Sequence, residues 1–508
     1  MLGTLLNVCE GIGWVALAIF SLHCLWLLAV RWRYRRCPSR PLTAFDALPV
    51  VTIQLPVFNE RYVVRRLLEA VAKLDYPKDR LEIQVLDDST DDTTELIARH
   101  MGALAAQGSR IRHLHRTHRN GFKAGALADG LAAAEGEFVA LFDADFVPPP
   151  DFLQRTVHFF TDPLVGMVQT RWGHLNRGES FLTRAQALML DGHFCIEQVA
   201  RSRGGFFFNF NGSAGIWRTQ AIRDAGGWQS DTLTEDLDLS YRAQLKGWRF
   251  LYLSDVVVPA ELPVTMTSLK IQHHRWTKGS IQSARKLLPA VLRSRAPWLV
   301  KVEACFHFWN WLNYPLCILV ALLVLPQLMA DYATAGVQHG SVWGGLVGVL
   351  LLTTTTLFYS VAERESGRPW WVFLFDIPAL MAVSVGLALN NSRAIWEAVR
   401  GAPSSFHRTP KYNGRYASVR HPGYRTQPSG ARWWWTEVAL GIYVSVALGY
   451  AASRALYTIV PFLLPLSAGF LYAGFSSLAP SGMGPVDVEP PSVAAPLEAV
   501  VARAGDLG

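Results

Sequence analysis

A largely parallel α/β domain joined to an α-helical membrane bundle is what this sequence predicts, on three observations. Between about residues 48 and 262, short apolar runs alternate with charged helical patterns, the signature of βα units. Outside that stretch lie apolar runs of bilayer-spanning length. Finally, the run Glu137-Phe138-Val139-Ala140-Leu141-Phe142-Asp143-Ala144-Asp145-Phe146 ends abruptly in two carboxylates, at a strand's carboxyl end, where open α/β sheets bind ligands.

The 508 residues are 50% hydrophobic and 17% charged, with a mean hydropathy of +0.17, apolar for a soluble enzyme. Residues 12–30 carry no acidic or basic charge apart from His23 and are followed at once by Arg31-Trp32-Arg33-Tyr34-Arg35-Arg36. With no basic leader before it, the run reads as a signal anchor with a cytoplasmic flank rather than a cleaved signal peptide, so residues 1–36 form an N-terminal transmembrane anchor. The net charge of +8 gathers beside apolar runs without a nucleic-acid fold motif. Nucleic acid is therefore not expected as a partner, and the lipid bilayer and an anionic sugar nucleotide are. The six cysteines show no CxxC spacing and indicate neither a zinc site nor a disulfide framework.

Val51-Thr52-Ile53-Gln54-Leu55-Pro56 reads as the first strand, and after Phe58-Asn59-Glu60 comes a helix with Val63, Val64, Leu67, Leu68 and Val71 on its apolar face. Ile83-Gln84-Val85-Leu86 is the second strand and ends in Asp87-Asp88-Ser89-Thr90. Those acidic groups either cap the next helix or accept hydrogen bonds from a base and ribose. Asn120-Gly121-Phe122-Lys123-Ala124-Gly125 supplies glycines for close backbone approach and a lysine for phosphate, though a turn with a solvated lysine has the same sequence. Phe138 to Phe142 form a buried strand. Residues two apart on an extended chain point the same way, so Asp143 and Asp145 are placed to face one hard cation holding a diphosphate. A solvated turn accounts for that pair alone.

Phe206-Phe207-Phe208-Asn209-Phe210-Asn211-Gly212-Ser213 suits a sugar-binding floor or a core strand and turn. Thr234-Glu235-Asp236 opens a helix, where Asp236 is either a stabilising N-terminal acid or a general base. Gln272-His273-His274-Arg275-Trp276 joins a planar phosphate-binding cation to an indole able to stack on a pyranose, or forms an ordinary cation–π pair.

Taken in order, the Leu55 to Glu60 turn, Asp87-Asp88, Asp143-Ala144-Asp145, Thr234-Glu235-Asp236 and Gln272-x-x-Arg275-Trp276 resemble the membrane-integrated family 2 glycosyltransferases, which include cellulose, chitin and hyaluronan synthases. The wording of Gln84 to Asp91, Lys123 to Leu127, Phe142 to Phe146 and Phe210 to Trp217 is similar to the plant cellulose synthase-like A and C groups, which make mannan or glucomannan and the xyloglucan backbone. The resemblance implies a GT-A (Rossmann-like) domain over residues 37–280. It assigns Pro56, Glu60, Asp87 or Asp88, Lys123 and Arg275 to the nucleotide-sugar donor, and Asp143 and Asp145 to Mg²⁺ or Mn²⁺. Asp236 is implied as the base, with Trp276, Glu235, Gln272, Asn211 and Gly212 at the growing polysaccharide acceptor. One base opposite the leaving group gives inversion, so an α-linked donor yields a β-glycoside. UDP-glucose is the favoured donor and GDP-mannose the other. A single-addition lipid glucosyltransferase, similar to ceramide glucosyltransferases, shares the three aspartates and the Arg-Trp pair, but several helices after Trp276 favour a polymer channel. Intact Asp143, Asp145, Asp236 and Arg275 argue against a non-catalytic scaffold.

Residues 281–305 are expected as an amphipathic helix on the membrane surface, with Lys278, Arg285, Lys286 and Arg293 interleaved by Ile281, Leu287, Leu288, Val291 and Leu292. Apolar runs then occupy about 308–329, 342–362, 370–389, 434–452 and 456–476. The catalytic domain and the basic stretch Arg393 to Arg432 both belong in the cytoplasm, so an even number of crossings separates them. The run 370–389, with Asp376, Pro378, Asn390 and Asn391, is the one to demote, leaving five spans in the plasma or bacterial inner membrane. Within a loop at 403–425, Phe406-His407-Arg408-Thr409-Pro410-Lys411 resembles the gating loop of bacterial cellulose synthase, with Arg408 in place of valine. That resemblance implies Thr409 and Lys411 closing over the donor diphosphate; a solvated basic loop is the alternative. Residues 480–508, rich in Pro, Ala and Gly, read as a disordered tail.

Overall fold

The computed structural model describes residues 2–35, 39–106, 108–333, 339–403, 408–413 and 433–478. Seven strands, β1 (Val51–Val57), β2 (Leu81–Asp87), β3 (Arg110–His115), β4 (Phe138–Leu141), β5 (Val165–His174), β6 (Gly215–Arg218) and β7 (Arg249–Ala260), form one sheet in the order β3-β2-β1-β4-β6-β5-β7. The pairs among β1 to β4 are parallel, and β6 runs antiparallel to both neighbours. The chain steps outward from β1 to the edge strand β3, then returns to the other side of β1. That reversal opens a crevice beyond the carboxyl ends of β1 and β4.

The alternation along β1 explains how both sheet faces are filled. Val51, Ile53 and Leu55 point into one apolar layer, against α2 (Val64–Ala72), α3 (Thr93–Ala106) and α5 (Phe152–Val157). Thr52 and Gln54 point the other way and are buried, so each needs a partner. The register supplies them: the Thr52 hydroxyl donates to Glu82 at 2.6 Å and the Gln54 amide to Gln84 at 3.1 Å. A second apolar layer joins that face to α4 (Phe122–Ala132), α7 (Gln198–Gly204), α8 (Thr219–Asp224) and α9 (Glu235–Leu245). Phe208 and Phe210 belong to this second core, so the aromatic run does not form a sugar-binding floor; only its continuation, Asn211 and Gly212, reaches the crevice.

The remaining helices are α1 (Leu2–Arg33), α6 (Phe181–Gly192), α10 (Met266–Arg293), α11 (Trp298–Trp309), α12 (Asn313–Ala333), α13 (His339–Glu365), α14 (Phe373–Gly386), α15 (Ala388–Val399), α16 (Trp434–Ser453) and α17 (Val460–Leu478). Among the described residues five helical stretches are long and apolar enough to cross a bilayer: Val8–Arg33, Trp298–Ala330, Gly344–Glu365, Trp434–Ser453 and Val460–Leu478. Phe375–Gly386 is apolar but shorter, and within it Asp376 is buried and accepts from Arg184 of α6.

The boundary expected at residue 280 falls inside α10, a single helix of 28 residues. Most of the apolar stripe on its second half is covered by protein, while Leu292 stays exposed. Ala284, Leu287, Leu288 and Val291 pack on Leu237 and Tyr241 of α9 and on Ala304 and Phe308 of α11. The apolar stripe meets protein, and the helix ends at Ser294, well short of 305. Phe406 and His407, the rest of the 403–425 loop beyond Asn413, and the tail from 480 lie outside the described residues.

Candidate active site

The strand β4 stops at Leu141, and the two carboxylates arrive on a turn rather than on the extended chain expected. The Phe146 N–H closes it on the Asp143 carbonyl at 3.1 Å. Phe142, Ala144 and Phe146 are buried, Phe142 edge-on to Phe152 and Phe146 to Trp172, so Asp143 and Asp145 line the crevice between apolar anchors.

Each carboxylate meets a lysine. Lys123 Nζ lies 2.6 Å from Asp143 Oδ1, donates to the Gly212 carbonyl at 2.8 Å and stands 3.8 Å from Glu235. Burial weakens its hold on the proton, yet Asp143 and Glu235 outweigh that and raise its pKa. Lys411 Nζ donates to Asp145 Oδ2 at 2.7 Å.

Thr234 holds the N-cap position of α9 without a side-chain capping bond, and Glu235 and Asp236 fall in the first turn. Asp236 Oδ1 accepts the Leu237 N–H at 2.8 Å. Burial, then the charge of Glu235, push the Asp236 pKa up to about 7, against Lys123, the Leu237 N–H and Arg275. Gly212, at φ +82°, makes room for this carboxylate: a Cβ there would stand 2.9 Å from Asp236 Oδ2.

Helix α10 presents Gln272, Arg275 and Trp276 to the same crevice at the three- and four-residue spacing of one helical face. It approaches closely because residue 279 is glycine, where a Cβ would lie 2.6 Å from Thr234 Cγ2. One turn on, Gln282 accepts the Leu233 N–H at 3.0 Å and Ser283 meets the Thr234 hydroxyl at 3.2 Å. The helix and the Thr234-Glu235-Asp236 turn are thus fastened together at Gly279 and one turn beyond it.

Opposite, Pro56 and Glu60 come from the end of β1. Glu60 is pushed up to about 8 by burial, with Arg408, 3.5 Å away, opposing that shift and Asp145 adding to it. Asp88 is gripped by Arg116 through two 2.7 Å contacts. Pro56, Glu60, Asp88, Lys123, Asp143, Asp145, Asn211, Gly212, Glu235, Asp236, Gln272, Arg275, Trp276, Thr409 and Lys411 all line a single crevice with about 1280 Å³ of empty space, its solvent mouth included. Asp87 does not. Its carboxylate turns to the sheet edge, where His113 and His115 meet it, and helix capping falls to Asp91, which accepts the Thr93 N–H.

Four lining residues were not singled out by sequence reasoning. Arg119 lies 3.4 Å over the Phe58 ring, and Trp172 and His174 come from the end of β5. Glu261 is buried and accepts the backbone N–H groups of Tyr412 and Asn413 at 2.6 and 2.9 Å, anchoring residues 411–413. Its signal was the one used for Asp143: an apolar run, Val256 to Ala260, ending in a carboxylate.

Residues 49–279 match the family described as "Glycosyltransferase like family 2". They form a family 2 glycosyltransferase domain. The chain is 43% identical over 286 residues to glucomannan 4-beta-mannosyltransferase 1 of Oryza sativa subsp. japonica, covering 54% of this chain and 55% of that protein. It is 44% identical over 351 residues to glucomannan 4-beta-mannosyltransferase 9 of Arabidopsis thaliana, covering 65% and 66%. The chain therefore spans between about half and two thirds of the length of these relatives. A solved mannosyltransferase from Pyrobaculum calidifontis, in complex with GDP-Man and Mn2+, superposes with a TM-score of 0.56 at 21% identity, over 78% of this chain and all of that one, a likeness of GT-A fold. Within the resemblance drawn from sequence, the relatives matched are thus named for the mannan-making activity of the cellulose synthase-like A group.

Proposed function

We propose that the chain is a processive, inverting β-mannosyltransferase that extends a mannan or glucomannan from GDP-mannose. The supporting observation is that Lys123, 2.6 Å from Asp143 and 3.8 Å from Glu235, ties the Asp143-Ala144-Asp145 and Thr234-Glu235-Asp236 turns into one crevice. The preference for UDP-glucose and a glucan gives way, because the relatives matched are named mannosyltransferases.

In this reading Asp236 takes the acceptor hydroxyl's proton as the oxygen attacks the anomeric carbon, and a pKa near 7 suits a base working at neutral pH. Arg275 holds the departing diphosphate by paired hydrogen bonds, and Trp276 supports the acceptor ring. Asp143 and Asp145 fit a hard dication: both offer oxygen, and each already accommodates a positive charge at 2.6–2.7 Å. Bound there, Mg²⁺ or Mn²⁺ supplies charge neutralisation for the leaving diphosphate. Thr409 and Lys411 cover the donor from the membrane side of the chain. The catalytic domain faces the cytoplasm, with Arg31 to Arg36 on the same side, and the product leaves between the apolar helices.

Membrane-reconstituted protein incubated with labelled GDP-mannose or UDP-glucose, with Mg²⁺ or Mn²⁺, tests this by product sizing and linkage-specific digestion. A long β-linked mannan from GDP-mannose is expected; a single sugar on extractable lipid, or transfer from UDP-glucose alone, would overturn it.

A further inference from the structure

The crevice leaves Asp87 out, and Asp87 has partners of its own. His113 and His115 lie two apart on β3, so both imidazoles face one side of the edge strand, and the ladder sets Asp87 directly beside His115. His113 Nε2 stands 3.0 Å and His115 Nδ1 3.2 Å from the same oxygen, Asp87 Oδ2, and the three ligand atoms all lie within 4.8 Å of one another. The other oxygen, Oδ1, accepts the Ser89 N–H at 2.9 Å, which fixes the carboxylate's orientation.

We propose that Asp87, His113 and His115 form a site for a transition-metal dication of the Zn²⁺ or Co²⁺ kind, separate from the Asp143–Asp145 pair. Two imidazoles and one carboxylate favour a borderline metal over Mg²⁺, which prefers oxygen throughout. The 3.0 and 3.2 Å from Asp87 Oδ2 to the two ring nitrogens approach the roughly 3.3–3.6 Å that bonds of about 2.0–2.2 Å at tetrahedral angles set between ligand atoms. Asp87 is buried, while the His115 side chain is 38% exposed, which leaves the solvent side open to a further ligand such as water.

The site also has a reach. Each strand passes straight from it into the donor wall: Asp88 follows Asp87, Arg116 follows His115, and these two neighbours grip each other at 2.7 Å while the Arg116 N–H donates to the Asp87 carbonyl at 2.9 Å. A metal here clips the edge strand to β2 and stiffens the Asp88–Arg116 side of the crevice. This inference does not depend on which sugar is transferred.

The test is Co²⁺ and Zn²⁺ titration into chelator-stripped, full-length protein in detergent, with excess Mg²⁺ to occupy all-oxygen sites. About one equivalent of Co²⁺ with visible d–d absorption is expected in the wild type and in Asp143→Ala, with affinity lowered about tenfold or more in His113→Ala and His115→Ala. Zn²⁺ should raise the melting temperature of the wild type and not of those variants. His115→Gln, at the half-exposed member, serves if an alanine variant loses its native circular dichroism. Absence of saturable binding, binding unchanged by loss of either histidine, or binding abolished by Asp143→Ala would overturn the proposal.

Discussion

Lys411 Nζ rests 2.7 Å from Asp145 Oδ2, so an ammonium from the segment after α15 sits on a carboxylate delivered by the β4 turn. Glu261 holds that segment in place by binding the N–H groups of Tyr412 and Asn413. On the proposed function, Lys411 and an incoming dication would compete for one oxygen. Lys411→Ala should tighten Mn²⁺ binding in the absence of donor by about tenfold, the scale of one charge-assisted hydrogen bond of ~1.5–3 kcal/mol. Electron paramagnetic resonance of free Mn²⁺ reads it directly; equal or weaker affinity in the variant would mean Lys411 does not obstruct the carboxylate.

Asp236→Asn should lower turnover by about 10²–10⁴-fold, the usual weight of a positioned base, and spare nucleotide-sugar binding. In the wild type the rate should fall as pH drops through about 7, where Asp236 takes up its proton. The stability effect has the opposite sense. The folded state holds this proton more tightly than the unfolded chain, whose carboxyl ionises near 3.8, so the wild type loses stability between those two pH values and levels off above 7. The melting temperature of Asp236→Asn should therefore gain on the wild type from about pH 4 to 7. Retained turnover would assign the base elsewhere.

Asp145→Ala removes one of the two carboxylates proposed to hold the cation and leaves Lys411 with the Glu261 carbonyl as its remaining partner. Metal-dependent donor binding, followed by calorimetry with GDP-mannose and Mn²⁺, should be lost. If donor affinity keeps its metal dependence, the Asp143–Asp145 pair does not hold the diphosphate's cation.

Gly279→Ala isolates the contact between α10 and the Thr234-Glu235-Asp236 turn. Alanine favours a helix interior by about 1 kcal/mol over glycine, so the helix itself should not weaken. The new Cβ would nevertheless stand 2.6 Å from Thr234 Cγ2 and push Arg275 and Trp276 away from Asp236. The expected result is a lower kcat, an unchanged donor Kd and no drop in melting temperature. Loss of kcat together with melting temperature would make Gly279 a packing residue only.

Much of this site was legible because its chemistry sits where apolar runs stop. Asp143, Glu60 and Asp88 each follow a buried strand, and Gln272, Arg275 and Trp276 share a helical face. What misled was local geometry. Asp87 and Asp88 are adjacent and look interchangeable in sequence, yet successive strand residues face opposite ways, and only the ladder to β3 decides which one meets the histidines. The apolar stripe from Ile281 to Leu292 was expected at the membrane surface because periodicity reports that a helix has an apolar side, not what covers it; Leu287, Leu288 and Val291 meet protein and Leu292 is exposed. Glu261 was missed since its partners, the Tyr412 and Asn413 backbone and the Arg66 guanidinium, all lie more than a hundred residues away.

Helix α10 carries a consequence for how such proteins are recombined. Near its start Lys270 is buried against Glu437 of α16, next come Gln272, Arg275 and Trp276, then Gly279 on Thr234, and last the residues packed on α9 and α11. A chimera joined at the end of the glycosyltransferase domain, near residue 280, would splice two halves of one rod and set the rotation of Arg275 by a foreign membrane bundle. Moving the junction to 294–297 spares the helix but still parts Lys270 from Glu437. The unit that exchanges cleanly is the sheet together with α10, α11, α15 and α16, so the crevice and this part of the helical bundle are inherited as one piece.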